Sequence, residues 1–364
     1  MTPMPEGNAI VYCQGAYGTT YGKTAHGLVR RTLRYRVLSV VDRRTVGSDA
    51  GEVIDGKRTG VPIFADIGTA VQAARRTGHP ATHLVIGLAT DGGYIDPEVR
   101  RDIIEAIERG LSVDSGLHEF LTEDEELARL ACEHLATLRD VRKPPPRGEL
   151  HFFSGKIEQV DSLVVAVLGT DSAVGKRTTA WIVADALRER GLSAELIGTG
   201  QTAWMQGVRY GIIIDSLVND FVAGEVEHIV WRAWKERRPD VIIIEGQGSL
   251  MNPAYPGGFE ILAAGRPDCV ILQHAPARRE YDGFAGYPLH PIERQIQAVE
   301  LLFEIPVVSV TVNHEGISDA EVPTACADIT KRTGLPTTDV LISGGGRVVE
   351  ALMPYLNKRE VSKR

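Results

Sequence analysis

Two α/β domains, each built on a parallel sheet, are the fold class that the sequence predicts, and three observations predict it. Short β-branched runs alternate with helical patterns from end to end, as in strands joined by helical crossovers. Three consecutive prolines, Pro144 to Pro146, interrupt that alternation once. The apolar run Leu163 to Leu168 is followed at once by a glycine-bearing loop, a lysine and an amphipathic helix. A length of 364 residues, with 43% hydrophobic and 24% charged residues, supports two separate cores.

Composition narrows the function classes. A net charge of -8 and the lack of any long Lys/Arg run argue against a nucleic-acid footprint, which leaves small molecules as the expected partners. Cys13, Cys132, Cys269 and Cys326 are scattered, with no C-x-x-C pair or zinc-type spacing, so neither a disulfide framework nor a bound metal is expected. The start MTPMPEGNAIVY lacks a basic stretch leading into a long apolar core, and the apolar runs are strand-sized. A cytoplasmic homo-oligomer without a membrane span is the expectation.

In the first domain, residues 1–147, strands are expected at Ala9 to Tyr12, Val37 to Val41, Val61 to Phe64 and Leu84 to Leu88. Gly15, Gly18, Gly22, Lys23 and Thr24 follow the first strand and Asp42 ends the second, a Rossmann-like arrangement. No full G-x-G-x-x-G is present, so a glycine-rich turn without a cofactor and a dinucleotide site both stay open. Lys23 and Thr24 are candidates to meet a phosphate or carboxylate. Gly92, Gly93, Gly116 and His118 fall at two further strand ends, with His118 read equally well as a structural or a substrate-binding histidine.

The prolines of DVRKPPPRG cannot continue a helix or join a central strand, which places the linker there. In the second domain, residues 148–364, strands are expected at Leu163 to Leu168, Ala194 to Ile197, Gly211 to Ile214, Val241 to Ile244, Cys269 to Gln273, Pro306 to Val312 and Asp339 to Ile342, forming a doubly wound sheet. The tail NKREVSKR is expected to fray.

The order strand, loop, lysine, helix in LVVAVLGTDSAVGKRTTAWIVADAL is that of a phosphate-binding loop, making this domain P-loop NTPase-like. Phosphate oxygens need inward-pointing backbone N–H groups, a helix N-terminus and a point charge; the loop residues Gly169, Thr170, Asp171, Ser172, Ala173, Val174 and Gly175, then Lys176, Arg177, Thr178 and Thr179, supply them. Five residues rather than four separate the two glycines, and Arg177 stands where Ser or Thr would ligate magnesium. The wording GTDSAVGK resembles the loop of dethiobiotin synthetase. ATP with magnesium, as used by a ligase or kinase, is therefore the alternative ligand, and a non-catalytic nucleotide-binding protein is a further reading.

Ligands of open parallel sheets sit beyond the strands' carboxyl ends. That rule singles out Glu245, Gln247 and Ser249 in VIIIEGQGSL, Asp215 and Asp220, His274 and Arg278, and Asn313, His314 and Glu315, which should share one rim. Glu245 could act as a base, orient water, ligate a metal or cap a helix. His290 is a weaker candidate.

Taken together, GKTAHGLVR, VVDRRTVG, Gly92-Gly93, SGLHEFL, DVRKPP, GTDSAVGKRTT, DFVAGEVEH, EGQGSL and the VTVN strand resemble the D-glutamate N-acetyltransferase (DgcN-like) family over roughly residues 8–355. The resemblance implies a Rossmann-like domain, a P-loop domain and transfer of acetyl from acetyl-CoA to the amine of D-glutamate. Lys23, Thr24, Gly116 to His118, Arg142, Lys143, Gly169 to Thr178, Asp215, Asp220 and Glu245 to Ser249 fall on its motifs. Coenzyme A carries a pyrophosphate and a ribose phosphate that such a loop could anchor. Glu245, Asp215 or His274 are then the catalytic candidates, and Arg142, Lys143 or Arg278 the carboxylate-binding ones. After EGQGSL the chain has Met251, Asn252 and Pro253 where the family pattern leads one to expect histidine-proline.

Overall fold

The computed structural model describes residues 4–362. The chain divides into two compact units, Met1–Pro144 with Gln201–Val208, and Pro145–Gly200 with Arg209–Arg364.

The first unit is a six-stranded sheet of β1 (Gly7–Tyr12), β2 (Tyr35–Val41), β3 (Ile63–Phe64), β4 (His83–Ile86), β5 (Ser112–Ser115) and β6 (Leu138–Asp140). Its order is β3-β2-β1-β4-β5-β6 with every pairing parallel, the order of the doubly wound Rossmann sheet. Ile10, Val11, Val40, Val41, Leu84 and Val85 are wholly buried in its core. The helices start where Asp49, Asp66, Asp96 and Asp124 accept first-turn N–H groups, caps worth about 1 kcal/mol each. The glycine-rich turn after β1 is closed from within. Asp42 is fully buried and accepts from Gly15 N (2.6 Å) and Thr45 Oγ1 (2.7 Å), so the acid at the ribose position of a dinucleotide fold is engaged by its own chain.

Residues 201–208 also belong to this unit. Gln206 Nε2 donates to Gly27 O (2.8 Å) and Arg31 O (3.0 Å), and the Arg34 guanidinium stacks 3.8 Å from the Trp204 ring. The helix Gln201–Met205 is too short to carry a periodic signal, so its allegiance is set by tertiary contacts.

The second unit is a seven-stranded sheet of β7 (Leu163–Gly169), β8 (Ala194–Gly198), β9 (Tyr210–Gly211), β10 (Val241–Glu245), β11 (Cys269–His274), β12 (Val307–Val312) and β13 (Thr337–Thr338). The order is β13-β12-β11-β7-β10-β8-β9, again all parallel. β7, β10 and β11 are buried throughout, which is why they read as unbroken apolar runs. From β7 the chain runs to β8 on one side, while β11, β12 and β13 lie on the other, so the end of β7 is the switch point where ligands bind.

Two strand assignments fail, each for a local reason. Gly211 to Ile214 leaves the sheet after Gly211, and Ile214–Ser216 forms a turn of 3-10 helix. Asp339 to Ile342 is a helix, Val340–Ser343, because the Asp339 side chain accepts from Leu341 N and Ile342 N and so overrides the β-branched residues that follow. β6 and β13, at three and two residues, are too short to stand out in the sequence. The last helix, Gly346–Ser362, takes in most of the NKREVSKR tail, whose final two residues lie outside the described ones. Among the described residues no helix is long and apolar enough to cross a membrane.

Candidate phosphate-binding site

The loop Thr170 to Gly175 lies beyond β7 and feeds the helix Lys176–Glu189. Gly175, with φ at 104°, makes the turn into that helix in a conformation L-residues rarely adopt. A Cβ on Gly169 would come within 2.8 Å of Val174 Cγ2, so the loop closes tightly on its own strand. No side chain caps the helix, which leaves its first amides available to an anion.

Asp171 holds the loop in shape. Fully buried, it accepts through Oδ1 from Ser172 N (2.7 Å) and Asn252 Nδ2 (3.0 Å), and through Oδ2 from Arg278 Nη1 (2.9 Å) and Asp282 N (2.9 Å). Arg278 donates further to Ser172 O (2.7 Å) and Glu315 Oε2 (2.8 Å). This arginine braces the loop rather than standing ready for a substrate carboxylate. Asn252, the departure from the family pattern, is buried and also accepts from Ala254 N and Tyr255 N, so it ties the segment after β10 to the loop. Asn313 Nδ2 donates to Val174 O (3.0 Å) on the far side.

Lys176 is 7% exposed, and its Nζ donates to Asp171 O (2.7 Å) and Gly248 O (2.8 Å). Its ammonium is therefore held at the mouth of the loop before any ligand arrives. Beside it, Arg177 Nη1 lies 3.9 Å from Glu245 Oε1 at the end of β10. Glu245 Oε2 accepts from Thr199 N (3.0 Å), and Thr199 Oγ1 donates to Glu245 O and receives Gln247 Nε2 (2.9 Å). Burial pushes the Glu245 carboxyl up; Arg177, the Thr199 amide and Lys176 pull it back, and Asp215 adds to the rise. Ser249 Oγ is buried and has no hydrogen-bond partner among the described residues.

Thr179 Oγ1 donates to Gln273 Oε1, which also receives Thr311 Oγ1, so this hydroxyl belongs to the core. His274 lies behind the loop with Nδ1 3.0 Å from Thr170 Oγ1. Burial, then Arg332, lowers its pKa to about 4 against the opposing pull of Glu293. An unfolded histidine takes its proton near pH 6.5, so between there and pH 4 the unfolded chain binds more protons and stability falls as the pH falls. His274 alone is expected to contribute a loss of roughly 3 kcal/mol across that window. Melting curves from pH 7 to pH 4 check it, and His274→Gln should flatten the slope. His228, also lowered to about 4 by burial, Lys156 and His151, adds to the remaining slope, as do carboxyls held below their ordinary range such as Glu227 and Glu293.

The loop, Glu245, Gln247, Ser249, His274 and Arg278 thus gather at one sheet end, with Asp215 exposed and near enough to act on Glu245. Thr199, Asn252, Gln273 and Gln295, whose Nε2 donates to Thr170 O (3.1 Å), join them without having been singled out as site residues. Thr199 was open to the strand-end rule, since it follows β8 directly. His314 turns away to Asp339 Oδ2 (2.6 Å). Lys23, Thr24, His118, Arg142 and Lys143 belong to the first unit. There Thr24 Oγ1 is buried against Thr202 Oγ1 (2.8 Å), and Arg142 Nε donates to Gly116 O (2.6 Å). Lys143 Nζ meets Thr122 Oγ1 (3.0 Å) and Glu123 (3.1 Å), while Lys23 and His118 are exposed.

Residues 151–349 match a family model described as the DUF1611 C-terminal P-loop domain, and residues 43–144 one described as the DUF1611 N-terminal Rossmann-like domain. A D-glutamate N-acetyltransferase from Tritonibacter scottomollicae is 31% identical over 75% of this chain and 81% of its own. One from Pseudoalteromonas is 32% identical over the same shares. The crystal structure of a DUF1611 family protein from Anabaena variabilis superposes with a TM-score of 0.88 at 28% identity, covering 96% of this chain and 99% of that one.

Proposed function

The chain belongs to the D-glutamate N-acetyltransferase family, and from that premise we propose that it is an acetyl-CoA-dependent N-acetyltransferase acting on an acidic D-amino acid, D-glutamate or a close analogue. The observation that carries the cofactor part is the cationic mouth of the loop, where Lys176 and Arg177 stand together at an uncapped helix start. Phosphates of coenzyme A suit that mouth, the loop amides and Lys176 binding them as point and dipole charges.

In the reaction the substrate amine attacks the thioester carbonyl, the C–S bond breaks, the amine gives up a proton and the thiolate leaves as coenzyme A. The pantetheine arm between phosphate and sulfur spans roughly 15 Å when extended, by the bond-length reckoning that sets the reach of a peptide chain. With the phosphates in the loop, the thioester lies an arm's length away. Glu245, which adjoins Lys176 and Arg177, then serves the phosphate end and not the reacting amine. That narrows the three catalytic candidates, since His274 is likewise buried behind the loop.

Acetyl-CoA should raise the melting temperature by mass action, and Mg·ATP should not. Free-thiol release should follow on addition of D-glutamate and be much slower with L-glutamate. A shift with Mg·ATP alone would put an ATP-dependent ligase or kinase in place of the transferase; a shift without thiol release from any acidic amino acid would leave a binding protein.

A further inference from the structure

P-loop folds that cleave nucleotides hold Mg²⁺ between the phosphates and two protein oxygens, the hydroxyl of the Ser or Thr after the loop lysine and an acid at a strand end. The residues of this chain do not fit that ion. The position after Lys176 is Arg177, whose side chain has no oxygen to offer. Thr179 Oγ1 is committed to Gln273 Oε1 in the core. Thr178 is one residue further along, about 100° round the helix from the ligand position. Glu245, the strand-end acid, faces the Arg177 guanidinium at 3.9 Å and receives Thr199 N at 3.0 Å. A divalent ion placed against Glu245 would sit beside a fixed positive charge.

We propose that Arg177, braced by Glu245, stands in for magnesium, so that the loop grips the phosphates of its ligand without any divalent cation. This rests on the reading that the loop binds the phosphates of coenzyme A. A guanidinium is permanently charged and presents a planar fork of donors that matches phosphate oxygens in pairs, whereas Mg²⁺ demands an octahedron of oxygens. The charge count agrees. Lys176 and Arg177 outnumber Glu245 at the loop itself, and the nearby Asp215 lowers the local charge further, which suits the holding of a phosphate ester and is short of what a triphosphate undergoing cleavage calls for. Arg177 becomes the residue that selects a held phosphate over a hydrolysed one, and Glu245 a positioning residue that fixes the guanidinium.

Calorimetric titration of the full chain with coenzyme A, and separately with ADP, first in EDTA and then in excess Mg²⁺, tests this. Wild-type dissociation constants should agree within about twofold between the two conditions. Arg177→Ser puts back a hydroxyl at the ligand position; it should bind at least tenfold more weakly in EDTA and recover in Mg²⁺, while Arg177→Lys, keeping the charge without the fork, should fall between. Tenfold or greater weakening of the wild type by EDTA overturns the proposal, and so does Arg177→Ser binding as tightly as wild type in EDTA. If the serine variant does not fold, the lysine variant and the wild-type comparison decide. ADP separates the two readings. Metal-independent binding of ADP with no binding of coenzyme A keeps the Arg177 role and removes the acetyl-CoA one; no binding of either ligand in either condition removes both.

Discussion

If the loop holds acetyl-CoA as proposed, Lys176→Met is expected to erase most of the stabilisation which that ligand confers, while leaving the fold in place. The ammonium is held at the loop by Asp171 O and Gly248 O, so the protein itself fixes the charge that a phosphate would meet. A charge-assisted hydrogen bond lost at such a site costs about 1.5–3 kcal/mol, or roughly ten- to a hundredfold in affinity. At a concentration that is a hundred times the wild-type dissociation constant, ligand stabilisation is about 2.7 kcal/mol; a hundredfold weaker variant retains only about 0.4 kcal/mol. For a unit of this size that is a thermal shift of roughly 8 °C falling to about 1 °C. Differential scanning fluorimetry of both proteins over an acetyl-CoA series reads it directly, and an undiminished shift would place the phosphates elsewhere.

Asp171→Ala is expected to be the most damaging single change in the second unit. The carboxylate is wholly buried and receives four donors, among them the Arg278 guanidinium, itself 11% exposed. Removing Asp171 leaves Arg278 with Glu315 alone, which is half exposed, and takes the acceptor from Asn252 Nδ2 and Asp282 N, a cost of about 3 kcal/mol, the low end for a broken buried pair. At about 2–4 °C per kcal/mol the melting temperature should fall by roughly 10 °C. The loop would also lose its link to Asn252 and to Asp282, so acetyl-CoA binding should weaken with it. Arg278→Met in the same chain removes the stranded charge, and the double variant should therefore cost less than the two single changes added together. Thermal melts of the four proteins in that cycle check both magnitude and sign; strict additivity would mean that the pair contributes nothing.

Much of this site is written in consecutive residues. The strand-loop-helix order around Gly169 to Thr179 is legible because the phosphate cradle is built from one stretch of backbone, and strand ends are legible because buried parallel strands are unbroken apolar runs. Glu245 and Gln247 were found by that rule. The bonds that hold Asp171 were not, because Arg278 and Asn252 reach it across more than eighty positions of chain and nothing local reports such a pairing. Arg278 looked like a cation awaiting a carboxylate and is one that already has two. Thr24 looked like a hydroxyl for a phosphate or carboxylate and is packed against Thr202. Asp339 to Ile342 looked like a strand because its residues are β-branched and apolar, yet one capping carboxylate was enough to wind it into a helix.

Local pattern therefore carries the α/β class, the phosphate loop and the substitution of Arg177 for a magnesium ligand, since each depends on residue type within a few positions. Which side chains are spent on holding the loop, where residues 201–208 pack, and that Arg177 faces Glu245 depend on contacts between segments far apart in the chain. Those contacts are set by how β7, β8, β10 and β11 line up in the sheet, and hydrogen bonds across strand ends follow from register and crossover, which no short window of sequence contains.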